Sequence, residues 1–75
     1  MTLEDLQPGN RYRVDTVDAR EMPVQRLMVL GLVEGAELEL ASAAIGGDPI
    51  ELRLFGTSLS LRREHARRFG VSQID

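Results

Sequence analysis

Residues 50–61 read Ile-Glu-Leu-Arg-Leu-Phe-Gly-Thr-Ser-Leu-Ser-Leu. Ile50, Leu52 and Leu54 alternate with Glu51 and Arg53, and Leu59 and Leu61 alternate with Ser58 and Ser60. A period of two puts one set of side chains on each face of a strand, so these are two half-buried strands. Gly56-Thr57 between them is short enough for a tight hairpin.

The same alternation recurs upstream. Tyr12, Val14 and Thr16 alternate with Arg11, Arg13 and Asp15, and Leu38 and Leu40 with Glu37 and Glu39. Pro8-Gly9 reads as a turn before the first of these strands, and Gly46-Gly47-Asp48-Pro49 as the link into Ile50. Thr2 with Asp5 three residues on has the spacing of a loose capping box. Between the first two strands the period changes. Val24, Leu27 and Met28 follow helical spacing, Pro23 suits a first turn, and Gly31 can end the helix with positive φ. A second short helix is expected over 62–69, broken by Gly70, with Val71 to Ile74 as a closing strand. Five short strands, tight turns and short helices predict a mainly β domain, a small, partly closed antiparallel barrel over residues 1–75.

The chain has 75 residues, enough for one core and not for an interdomain cleft. It has no cysteine, which removes disulfides, thiolate metal sites and cysteine nucleophiles. All nine basic residues are arginine, so a phosphate-loop lysine or a Schiff base is excluded. One histidine, His65, excludes motifs that need two. No nucleophile motif joins His65 to Ser58 or Ser60, and the reading is not an enzyme. A net charge of −3 disfavours a module that holds nucleic acid by phosphate neutralisation. The uncharged stretches are too short to span a bilayer, and the acidic start Met1 to Asp5 is unlike a leader peptide. A cytoplasmic protein is expected.

Three places invite a functional reading. Val24, Leu27, Met28, Val29, Leu30, Leu32 and Val33 form the most apolar segment, and one helix face cannot bury them all. Val29 and Leu30 fall off the Val24/Leu27/Met28 stripe and suit a protein partner, unless a helix wedged into a barrel end is buried on two sides. Arg62, Arg63, Arg67 and Arg68 make a compact basic patch. Either it contacts an acidic partner, or it is a solvated face with Glu64 paired to Arg67 or Arg68. His65, beside Glu64 and with Glu51 or Asp75 as further carboxylates, is a weak candidate for a divalent cation such as Fe2+ or Zn2+, although neighbours on a helix point about 100° apart.

In order and spacing these segments resemble the FeoA family of bacterial ferrous iron transport. The resemblance runs through Leu6-x-Pro8-Gly9, Leu27-x-x-Leu30-Gly31-Leu32, Gly35, Gly47-Asp48-Pro49-Ile50, Ser60-Leu61-Arg62, Ala66 and Val71. Glu34 stands where the family often has proline, which affects a turn rather than the fold. The resemblance implies an SH3-like barrel without catalysis. It also implies a FeoB-like membrane transporter with a cytoplasmic GTP-binding part as partner, no required cofactor, and transition-metal binding as an alternative role. Partner contacts are expected from Val24, Leu27, Val29, Leu30, Leu32, Arg62 and Arg63, and self-association through an open sheet edge is a further expectation.

Overall fold

The computed structural model describes residues 1–43 and 47–74, so Gly46 of the expected turn and Asp75 lie outside the described residues. A single 3-10 turn, Leu3–Asp5, precedes strand β1 (Arg11–Val17), helix α1 (Met22–Val29) and strand β2 (Glu37–Ala43). Strands β3 (Ile50–Leu54) and β4 (Thr57–Leu61), helix α2 (Arg63–Ala66) and strand β5 (Phe69–Ile74) complete the chain. All pairings are antiparallel, in the order β4-β3-β2-β1-β5.

Alternation drives this sheet. Tyr12, Val14, Leu38, Leu52, Leu54, Leu61 and Val71 point inward, and the residues between them carry charge or hydroxyls. Fully burying each such side chain contributes about 1.5–3 kcal/mol, so a one-residue slip in register would forfeit a whole row. Register shifts between Val14 and Thr16 against β5, and between Leu40 and Ser42 against β3, bend the sheet round its core. Tyr12 is buried ring and all, and its hydroxyl accepts from the Gln7 N–H at 2.9 Å, which ties the Pro8-Gly9 turn to β1.

The capping box forms as expected: Thr2 Oγ1 accepts from Glu4 N–H, and the Asp5 carboxylate accepts from Thr2 N–H. The Val33–Ala36 turn closes without proline. Ala36 N–H reaches Val33 O at 3.0 Å and Gly35 N–H reaches Val14 O at 2.8 Å.

Three expectations change. The second helix stops at Ala66, because Phe69 belongs to β5 opposite Val17. The three-residue gap between Ala66 and Phe69 fits one helical face, yet both reach the core from different elements. Gly70 does not break a helix; it lies within β5 opposite Thr16, where an added Cβ would fall on Thr16 Oγ1. The β3–β4 turn is centred on Phe55-Gly56, since Leu54 already pairs with Thr57. Gly56 supplies the positive φ of 78°.

Gly70→Ala is therefore expected to lower stability by about 1–3 kcal/mol through overpacking. Adding Thr16→Ala should recover most of the loss in chemical denaturation. Equal loss with and without Thr16→Ala would contradict the contact.

Candidate functional site

Helix α1 lacks a capping side chain at Glu21. Its start is tethered instead by Gln25 Nε2 donating to Ala19 O at 2.8 Å and by the Glu21 carboxylate pairing with Arg68 at 2.9 Å. Asp18 reinforces the joint, 2.7 Å from Arg20 and 3.7 Å from Arg68. The hydrogen bond from Arg20 is the main reason the Asp18 carboxyl falls from 3.8 to about 2. Thus fixed, α1 turns Val24 and Leu27 into the core.

The helical period then carries the next residues out: Val29 is 86% exposed and Leu30 57%. Gly31, at φ 113°, reverses the chain and returns Leu32 to full burial. Val24, Leu27 and Leu32 are core residues and present no docking surface, which corrects their expected role in partner contact. Val29 and Leu30 are where an apolar contact can be made.

The fully exposed ring of Phe55, at the β3–β4 turn, joins them. Leu30 and Phe55 line one depression of about 210 Å3 together with Gly31, Ala36, Glu37, Leu54 and Thr57. Beyond Phe55 a shallow groove of about 510 Å3 runs over the ion pairs Arg11–Glu37 (2.8 Å) and Arg53–Glu39 (2.9 Å). Phe55 follows Leu54 directly and so breaks the apolar–polar alternation of residues 50–54; that break, just before Gly56, was the available signal for an exposed turn residue.

The arginine patch is mostly committed to the fold. Arg63 donates to the carbonyls of Gly47 and Glu4, and its N–H to the Asp48 carboxylate, bracing the entry to β3. Arg67 pairs with Glu4 at 3.1 Å and Arg68 with Glu21, neither with Glu64 as expected. Among the described residues, only the Arg62 side chain of these four makes no hydrogen bond or ion pair. His65 is half-buried and Glu64 exposed. No group of three or more His, Cys, Asp or Glu side chains able to hold a metal ion occurs among the described residues. No described helix is long and apolar enough to cross a membrane.

The family model for the FeoA domain matches residues 1–73. The chain belongs to the FeoA family. FeoA of Chlorobium tepidum is 40% identical, with a TM-score of 0.90 over 100% of this chain and 71% of its own. FeoA of Stenotrophomonas maltophilia, solved in complex with zinc and described as an SH3 domain protein, is 32% identical, with a TM-score of 0.80 over 96% of this chain and 89% of its own. The fold is thus the SH3-like barrel expected from the sequence. The Fe(2+) transport protein A/Fe(2+) transporter FeoB fusion protein of Porphyromonas gingivalis is 30% identical over 74 residues, 99% of this chain. This FeoA chain spans only 9% of that curated relative's length.

Because the folded-state value for Asp18 is depressed, its contribution to stability is full above 3.8 and is lost as pH falls through about 2. An NMR titration of the Asp18 carboxyl should show a midpoint near 2 that returns towards 3.8 in Arg20→Ala. An unchanged midpoint in that variant would contradict the assignment to Arg20.

Proposed function

We propose that this chain is a cytoplasmic accessory that binds the cytoplasmic part of a FeoB-like iron transporter and modulates it. Docking uses the exposed Val29–Leu30 end of α1 and the neighbouring groove beside Phe55. The observation that carries the reading is the Porphyromonas gingivalis fusion, in which an FeoA unit and FeoB share one polypeptide. Tethering of this kind raises the effective concentration of two units that work together. The exposed apolar side chains support a protein contact, since a small domain gains nothing in its own stability by leaving them in water. The reading assigns no catalytic step, nucleic acid or membrane insertion to the chain.

Leu30→Asp and Val29→Asp change exposed side chains, so the variants should keep the wild-type circular dichroism spectrum. Each is expected to weaken binding to the isolated cytoplasmic part of a FeoB-like transporter about 10-fold or more, because the contact would bury an unpaired carboxylate. A folded Leu30→Asp variant that binds as well as wild type would overturn the surface assignment.

The zinc complex of the Stenotrophomonas maltophilia relative favours a second reading, a metal sensor or carrier using His65 with carboxylates. The described residues do not fit a resident metal. His65 has Glu64 as its chain neighbour, and among the described residues no group of three ligands forms. Calorimetric titration with Zn2+, and anaerobically with Fe2+, should therefore show no binding at micromolar affinity. Micromolar or tighter binding that is lost in His65→Ala would establish the metal reading instead.

A further inference from the structure

The two edges of the sheet are treated differently. Outside β5, the N-terminal segment covers the strand: Thr2 bridges Gly70, and Val71 N–H donates to Met1 O at 2.9 Å. The β1–β5 ladder also carries an irregularity between Val14 and Thr16. Strand β4 has neither device. Its ladder to β3 runs unbroken from Ile50↔Leu61 to Leu54↔Thr57, and among the described residues no other main-chain hydrogen bond reaches it. Soluble proteins usually blunt such an edge with lysine, proline, a bulge or an inward charge. The segment Thr57-Ser58-Leu59-Ser60-Leu61 contains none of these.

We infer that β4 is a self-association edge, to which a second copy of this chain adds its own β4 antiparallel across a two-fold axis at Leu59. The choice of a second copy rests on the symmetry of the segment. Pairing about Leu59 sets Ser58 opposite Ser60 of the other copy, Leu59 opposite Leu59, and Thr57 opposite Leu61. The exposed outer rows are then small hydroxyl side chains with no like charges facing each other, and cross-strand hydroxyl pairs of this kind are favourable. On the inward side the two Leu59 side chains meet at the axis, flanked on each side by a Thr57–Leu61 pair. The unpaired N–H and C=O groups satisfy each other in the isologous arrangement that closed dimers require. Five residues a side make a small contact, so the dimer is weak and dependent on concentration. This inference is independent of the transporter reading.

The test is sedimentation equilibrium of the full chain over a dilution series. The weight-average mass should rise from 8.3 kDa towards twice that value with concentration. The Ser58→Lys/Ser60→Lys variant opposes lysine to lysine across the axis and should raise the dissociation constant at least 10-fold with unchanged circular dichroism. Ser58→Glu/Ser60→Glu should do the same, and an equimolar mixture of the two variants should restore association. Amide exchange of the wild type checks the surface without substitution: β4 amides should be slower in concentrated than in dilute protein. A wild type that stays monomeric throughout would overturn the inference. So would a dimer indifferent to both variants, or a β4 edge that takes only a strand of a different protein.

Discussion

Helix α1 can bury one face and no more, and the rest of the molecule's surface follows from that. Its eight residues enter through Pro23 and turn Val24 and Leu27 into a core already filled by Tyr12, Leu52 and Phe69. Each buried aliphatic side chain contributes about 1.5–3 kcal/mol, which sets the rotation of the helix. At 3.6 residues per turn, Val29 and Leu30 then emerge on the far side. Gly31 accepts a positive φ that side-chain-bearing residues rarely adopt, and Leu32 re-enters the core at once. The exposed apolar pair is a geometric consequence of a helix with one buried face, set beside the β3–β4 turn.

Charge plays a different part. Arg11–Glu37 and Arg53–Glu39 lie across the sheet, Arg68 joins the start of α1 to the approach to β5, and Arg67 reaches Glu4. Exposed pairs of this kind each contribute little to stability. What they do is match charge locally: Arg67 and Arg68 face Glu4 and Glu21, and the other two arginines face carboxylates on the neighbouring strand. With Arg63 taken up by main-chain carbonyls, little of the basic patch is left for an acidic partner. The proposed contact surface therefore combines the exposed apolar side chains Val29, Leu30 and Phe55 with a groove over two Arg–Glu pairs whose charges are already matched.

The strands were legible because a period of two is unambiguous when each apolar residue is flanked by charge or hydroxyl. Leu38 beside Glu37 and Glu39, or Leu52 beside Glu51 and Arg53, allows one face only. The exposure of Val29 and Leu30 was also readable, from their phase relative to Val24 and Leu27. The burial of Leu32 was not, because it depends on the reversal at Gly31 rather than on helical phase. Gly70 misled for a related reason: glycine serves both a helix end and a close strand crossing, and only the neighbour, Thr16, distinguishes them. The exposure of Phe55 was missed because it depends on the turn being centred on Phe55-Gly56, with Leu54 already paired to Thr57, rather than on Gly56-Thr57. The arginine partners were out of reach too, since Glu4 and Glu21 lie more than forty residues away along the chain.

The central claim is that the α1 end and the β3–β4 turn form the contact surface for the transporter. Its most direct test is an NMR titration of isotope-labelled chain with the cytoplasmic part of a FeoB-like transporter, followed at the backbone amides. Shifts concentrated at Val29, Leu30, Gly31, Phe55 and Thr57 are the expected result. Shifts confined to Arg62 and the adjoining helix α2, or no shifts while the transporter fragment is folded and saturating, would contradict it.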